Sequence, residues 1–140
     1  MRKISYKKGR KVSVSNFEYT GVYTDKGSDM QLFVYNEDKA IEEQHISVKK
    51  FMTTKDLALN NWLNIHGLND VEVIKSLAEA LQLNTIIVSD ILNISRGTRL
   101  DELDDTLFFS IKSILPNDSD DKTILIEQIS FLLQDNLIIS

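Results

Sequence analysis

The sequence predicts an α/β protein with a mixed β-sheet flanked by helices on both faces, an α/β/α sandwich, in a single domain. Segments rich in Val, Ile, Tyr and Phe stand at both ends of the chain, as expected of strands. Two consecutive segments between them have apolar residues at helical spacing. The length of 140 residues is that of one domain, long enough to bury a core. Strands before and after a pair of helices favour a sheet with helices packed on it.

Three strands are predicted in the first half of the chain. The segments "FEYTGVYTD" (17–25) and "DMQLFVYN" (29–36) are rich in aromatic and β-branched residues, and a turn joins them. "NWLNI" (61–65) predicts a short buried strand that ends before Gly67.

The connection between these strands, residues 37–60, is polar and weakly patterned. For it we predict a short strand around Ile46 to Val48 and a short helix after Thr53. No internal repeat or low-complexity tract interrupts the chain.

Two helices are predicted in the middle of the chain. Asn69 or Asp70 caps the first, and Glu72 lies three residues after Asn69, as a capping box requires. Apolar residues at helical spacing follow: Val71, Ile74, Leu77, Ala78 and Leu81. Asn84 or Thr85 caps the second helix, whose apolar residues cover more than half of its circumference. This second helix is therefore predicted to be buried on most sides and to end at Asn93.

Three further strands are predicted in the last third. "LFFSIKSIL" (107–115) stops at Pro116, and "TILIEQISFLL" (123–133) and "NLIIS" (136–140) form a hairpin. Since the chain ends inside an apolar strand, we expect more chain to follow in the intact protein.

Charge divides the chain into a basic N-terminal arm (1–12) and an acidic body (13–140). The first eleven residues hold six bases and no acid, and the rest hold ten bases and 21 acids. A basic arm can mark nucleic-acid or lipid contact, although clusters of charge at a terminus are more often simply solvated. The acidic body argues against binding of duplex nucleic acid, because phosphate contacts require positive charge spread over a surface.

Enzyme motifs are missing from the sequence. There is no cysteine, no G-x-S-x-G nucleophile elbow and no glycine-rich phosphate loop. The two histidines, His45 and His66, lie on different predicted elements. The acidic loop that starts at Asn117 has Lys122 and Gln128 where a calcium loop requires glycine and glutamate. We therefore predict that the protein is not an enzyme.

Two acidic features remain as candidates. "DELDD" (101–105) is most simply a solubilising stretch, although Asp101 and Asp105 could line a surface that attracts cations. Asp90 is the single acid in the apolar segment "NTIIVSDILN" (84–93). Without further context, an acid in the last turn of a helix is expected to point to water, even though the helix dipole disfavours it there.

An ordered series of segments resembles the cytosolic domain of the CorA family of magnesium and cobalt channels. The first is "WLNIHGL", in which Trp62, Leu63, Asn64, Ile65, Gly67 and Leu68 match the family pattern. Asp90 to Asn93 match the end of the family's L-E-D-I-L-N segment. "DELDDTLFFSIKSI" matches with Asp105, Leu107, Phe108 and Lys112 in register, and "ISFLLQDNLIIS" resembles the hairpin before the family's stalk helix. The resemblance covers residues 17–140.

The resemblance implies a function and a role for Asp90. The chain would be the cytosolic regulatory domain of a Mg²⁺/Co²⁺ channel at the cytoplasmic face of the inner membrane, truncated before the stalk and the transmembrane helices. Five identical subunits would assemble, and Asp90 would bind regulatory Mg²⁺ at the seam between neighbours, with a partner acid in the stalk. A single carboxylate per subunit is chemically adequate, since Mg²⁺ keeps several waters. No nucleic acid is expected as a partner. The alternative is a free-standing interaction or nucleic-acid-binding module that uses the basic arm.

Two departures from the family pattern lie next to Asp90. Ser89 stands where the family has Glu, which removes one carboxylate from the region. "SRGTR" (95–99) replaces the family's Q-R-P-K segment and is expected to change a loop.

Overall fold

The computed structural model describes residues 17–21, 27–103, 105–116 and 123–140. Within them lie seven strands and three helices in a single α/β domain, as the sequence predicts. The elements in chain order are β1 Asp29–Tyr35, β2 Ala40–Glu43, α1 Val48–Thr54, β3 Asn60–His66, α2 Val71–Ala80, α3 Thr85–Leu92, β4 Arg99–Leu103, β5 Thr106–Pro116, β6 Ile124–Gln134 and β7 Leu137–Ile139.

The strands form one mixed sheet in the order β2-β1-β3-β7-β6-β5-β4. Neighbouring strands are antiparallel except β3 and β7, which pair in parallel with Leu63 opposite Ile139. This parallel pair joins the first half of the sheet to the second. The hairpin of β5 and β6 is the longest ladder, with Phe108 opposite Leu132.

The hydrophobic core lies between one face of the sheet and the helices. Alternate residues of β1 point to it, and Leu32, Leu63 and Phe108 from three different strands are fully buried there. Phe51 of α1, Leu77 of α2 and Ile87 of α3 belong to the same cluster. The burial of each such side chain contributes about 1.5–3 kcal/mol. The described residues therefore place all three helices on one face, which we call the helix face.

The opposite face of the sheet carries apolar side chains and, in the described part of the chain, no helix. Phe33 stacks on Trp62 with ring centroids 5.1 Å apart, and Phe109 stacks on Phe131 at 4.6 Å. We call this the open face. The predicted flanking of the sheet by helices on both faces is thus not confirmed.

The connection after β1 differs from the sequence prediction. The short strand lies at β2 rather than around Ile46 to Val48, and α1 ends at Thr54 instead of beginning after Thr53. The side chain of Ser47 accepts a hydrogen bond from the backbone N–H of Lys50, which caps α1 at its start.

The other helix boundaries agree with the predictions. Asp70 caps α2 by accepting from the N–H of Val73, and Asn84 caps α3 by accepting from the N–H of Ile86. With Asp70 as the cap, Glu72 does not complete a capping box, and it pairs instead with Lys75 at 2.7 Å.

The structure describes only part of the N-terminal region for which predictions were made. Residues 17–21 form no strand, and the rest of the predicted strand 17–25 lies outside the described residues. The basic arm (1–12) also lies outside them, so the division into an arm and a body (13–140) stays a prediction.

Candidate functional site

Asp90, the residue singled out in the sequence, is buried in the last turn of α3. It is 2% exposed, and its neighbours Val88 and Leu92 are equally buried. The expectation that a lone acid here points to water is therefore wrong. Because the C-terminal end of a helix carries partial negative charge, a buried carboxylate at this position requires positive charge close by.

Two arginines from the connection between α3 and β4 supply that charge. The N–H of Arg96 donates to the carbonyl of Asn93 at 3.1 Å, which turns the chain back toward α3. Arg96 Nε then lies 3.0 Å from Asp90 Oδ1. Arg99 Nη1 contacts Asp90 Oδ2, and Arg99 Nε contacts Asp101 Oδ2. Hydrogen bonding to Asp101, followed by the charges of both carboxylates, raises the pKa of the Arg99 guanidinium, while burial opposes this.

The two carboxylate oxygens of Asp90 are held differently. Oδ2 accepts a hydrogen bond from Arg99. Oδ1 is buried and accepts no hydrogen bond from the described residues. Arg96 Nε lies close enough for an ion pair, but its N–H does not point at this oxygen as a hydrogen bond requires. The Arg96 side chain is 51% exposed and that of Arg99 is 31% exposed. The carboxylate thus lies inside the domain while its counter-charges reach the surface.

Polar residues on the helix face of the sheet contact the backbone at the end of α3 and just after it. Lys112 of β5 donates to the carbonyl of Ile94 at 2.5 Å and to Gln128 Oε1 at 3.0 Å. Gln128 Nε2 in turn donates to the carbonyl of Asp90 at 3.3 Å. Burial lowers the pKa of the Lys112 ammonium. We call Asp90, Arg96, Arg99, Asp101, Lys112 and Gln128 the Asp90 cluster.

A change of Lys112 to methionine tests this burial through the pH dependence of stability. A lysine whose pKa is lowered by folding makes stability rise with pH in the range just below its ordinary value of 10.5. The wild-type midpoint of thermal unfolding should therefore gain on that of Lys112→Met as the pH is raised through this range. A constant difference between the two midpoints would contradict a lowered pKa.

The Asp90 cluster, as placed, does not fit a Mg²⁺ ion. Mg²⁺ takes oxygen ligands in near-octahedral geometry, whereas both oxygens of Asp90 face guanidinium groups. The cluster holds three cationic side chains and two carboxylates, so its net charge repels a cation. Nowhere in the described ranges do three or more His, Cys, Asp or Glu side chains form a group able to hold a metal. The role of Asp90 as a Mg²⁺ ligand stays a prediction, on the condition that both arginines move away.

No role for Arg96 or Arg99 is predicted from the sequence, in which "SRGTR" (95–99) stands out only as a departure from a family pattern. Two arginines shortly after a buried acid were a usable signal, since a buried acid requires a counter-charge.

The remaining sequence candidates lie elsewhere. Both histidines are found near Asp29 at one end of β1: His45 Nδ1 lies 3.0 Å from Asp29 Oδ1, and His66 is opposite Asp29 in the ladder. His66 Nε2 also contacts Asn64 Nδ2 at 3.0 Å. The His45 side chain is 78% exposed. Of the acidic stretch, Asp101 is bound to Arg99, and Asp105 accepts from the hydroxyl of Thr106 at 3.3 Å.

An apolar cavity of about 730 Å³ is lined by residues of α2, α3 and β6. Ile74, Val88 and Leu132 are among its lining residues. Tyr19 and Gly27, which flank residues 22–26 outside the described ranges, also line it, so we assign no ligand to this space.

Comparison with known proteins bears on the family resemblance. No protein-family model matches the sequence. The chain is 22% identical over 138 residues to the cobalt/magnesium transport protein CorA of Thermotoga maritima, an alignment that covers 99% of this chain and 38% of that protein. The chain therefore spans well under half the length of this relative.

A solved structure shares the fold. The soluble domain of CorA from Methanocaldococcus jannaschii superposes with a TM-score of 0.50 at 16% sequence identity, over 84% of this chain and 41% of that one. The described residues contain no helix with the length and apolarity needed to span a membrane. Sequence and fold together confirm the similarity to the N-terminal cytosolic domain of CorA that the motifs indicated.

Proposed function

We propose that this chain is the cytosolic domain of a CorA-type transport protein for divalent cations, and not an enzyme. The observation that carries the proposal is the alignment with a cobalt/magnesium transport protein over 99% of the chain, supported by the shared fold of a CorA soluble domain. The relative is much longer than this chain, so in this proposal the transport path would lie in other parts of the intact protein.

Further parts of the proposal concern assembly and location. Five identical subunits would assemble, with this domain at the cytoplasmic face of the inner membrane. A segment C-terminal to the domain would make the membrane contact. Mg²⁺ or Co²⁺ is the cargo. The acidic body, with 21 acids against ten bases beyond the first eleven residues, would attract cations to the assembly.

Sensing of intracellular Mg²⁺ is the finer part of the proposal. A cation that binds between subunits in one arrangement only would shift the population toward that arrangement and so gate transport. The pairing of Asp90 with two arginines argues against a direct role for this residue in binding Mg²⁺. If Asp90→Asn abolished Mg²⁺-dependent protection of the full-length protein from protease, a direct role would follow; unchanged protection would assign sensing to other residues.

The gene that encodes the chain provides the first test. Its reading frame should continue past Ser140 and encode two apolar segments of about 20 residues each, the length that spans a bilayer as a helix. The full-length product, reconstituted in liposomes, should then pass Mg²⁺ or Co²⁺ inward when measured with a fluorescent indicator.

A second outcome would favour the alternative function. If the reading frame ends without apolar segments, and if the chain binds nucleic acid in a salt-sensitive manner that deletion of residues 1–11 abolishes, the protein is an interaction module that uses its basic arm.

A further inference from the structure

We propose that Arg96 and Arg99 stand in for a bound cation at Asp90, so that the connection between α3 and β4 keeps its conformation without a metal ion. The inference rests on the geometry of the Asp90 cluster and does not depend on the proposed function. Its consequence is that divalent cations do not stabilise this part of the domain.

Asp90 requires a partner of opposite charge. Its side chain is 3% exposed, and it sits at the negative end of α3 among apolar residues. A buried carboxylate without compensating charge is strongly destabilising. Some cation, either from the protein or from solution, must therefore neutralise it.

The protein itself provides this cation from the adjacent loop. The turn at Asn93 brings Arg96 within 3.0 Å of one oxygen, and Arg99 at the start of β4 contacts the other. One contact from the middle of this short connection and one from its end fix it to α3. This is the structural effect that a bridging metal ion would otherwise have.

A metal ion would have to compete with these contacts. The side-chain oxygens of two other cluster members are already engaged: Asp101 binds Arg99, and Gln128 Oε1 accepts from Lys112. Mg²⁺ gives up its water reluctantly and prefers a nearly regular octahedron of oxygens. With the arginines in place, each oxygen of Asp90 faces a guanidinium group, and the local positive charge disfavours a cation.

Removal of the arginines would expose a cation site. Both side chains reach the surface, so their truncation opens a path from solvent to the carboxylate without disturbing the core. A hydrated Mg²⁺ needs only one or two carboxylates, which Asp90 would then supply. The variant should therefore gain a response to Mg²⁺ that the wild type lacks.

Thermal unfolding in MgCl₂, compared with NaCl of equal ionic strength, tests the proposal. The wild-type midpoint should be the same in both salts. In Arg96→Ala/Arg99→Ala the midpoint should fall on the order of 10 °C, since a buried charge has lost its partners. Millimolar MgCl₂ should recover part of that loss, because binding to the folded state alone raises the midpoint.

The matched control is the same double variant with Asp90→Asn added. It should be more stable than the double variant in NaCl, because no buried charge remains, and it should not respond to MgCl₂. If the double variant does not fold, Arg99→Gln compared with Arg99→Gln/Asp90→Asn provides the same contrast.

Three results would overturn the proposal. One is a wild-type midpoint that rises specifically with MgCl₂ and no longer does so in Asp90→Asn, which would make the metal ion the native partner. The second is truncation of both arginines without loss of stability. The third is an equal MgCl₂ response with and without Asp90. A failure of the liposome transport assay would contradict the proposed function and leave these results unaffected.

Discussion

Leu132→Lys is expected to unfold the chain or to lower its free energy of unfolding by about 5 kcal/mol, a loss comparable with the entire stability of many domains. Leu132 is 3% exposed and lies on the helix face, opposite Phe108 on one neighbouring strand and Ile139 on the other. An ammonium group there would be buried among apolar side chains without a partner. Urea unfolding followed by circular dichroism measures the loss.

Ile129→Lys, three residues earlier on the same strand, is the matched control. Ile129 is 37% exposed and points to the open face beside Ile111. A lysine at this position can reach water, so we expect stability within about 0.5 kcal/mol of the wild type. Because an exposed apolar surface favours association, the variant should also bind less of a hydrophobic dye. Equal destabilisation by the two lysines would contradict the assignment of the helices to one face.

Asn61→Ala is expected to lower the free energy of unfolding by about 3 kcal/mol, since it breaks several buried hydrogen bonds at once. Asn61 is 3% exposed at the start of β3. Its side chain accepts from the N–H of Asp56 at 3.0 Å and donates to the carbonyls of Asp56 at 2.8 Å and Leu59 at 2.9 Å. A longer contact of 3.4 Å reaches the carbonyl of Asn136 in the β6–β7 turn. The side chain therefore joins the turn before β3 to the turn that precedes its parallel partner.

Asn61→Asp separates the donated bonds from the packing, because the two side chains have the same shape. A carboxylate can accept from Asp56 and can donate nothing, and it would face backbone carbonyl oxygens. We expect a loss at least as large as that of Asn61→Ala at neutral pH, with partial recovery in acid, where a protonated carboxyl can donate. A fully stable Asn61→Asp protein would show that the donated bonds contribute little.

Much of the secondary structure could be predicted because its signals are local. Asp70 and Asn84 cap α2 and α3 as their sequence positions indicated. The strands β1 and β3 and the β5–β6 hairpin coincide with apolar and β-branched segments of the sequence. Helix α1, predicted after Thr53 and found before it, also had a local signal, since Ser47 is followed by Val48, Phe51 and Met52 at helical spacing. Surrounding charged residues made that spacing easy to overlook.

Other elements depended on partners distant in the sequence. β4 is rich in charged residues, and its sequence predicts only an acidic, solubilising stretch. It is a strand because it pairs with β5, with Arg99 opposite Ser110. The propensity of such a segment for strand is low, and the ladder hydrogen bonds override it. The parallel pairing of Leu63 with Ile139 joins residues far apart in the chain, and no local pattern predicts it.

By itself the sequence determined the α/β class, the caps of two helices and the similarity to a CorA cytosolic domain, because spacing and motif order are properties of neighbouring residues. It also marked Asp90 as unusual. Only the tertiary structure decided that Asp90 is enclosed, that Arg96 and Arg99 hold it, and that the three described helices share one face of the sheet. The physical reason is that burial and charge pairing depend on where loops and distant strands bring side chains together, and an ionised group takes whichever counter-charge the fold places closest.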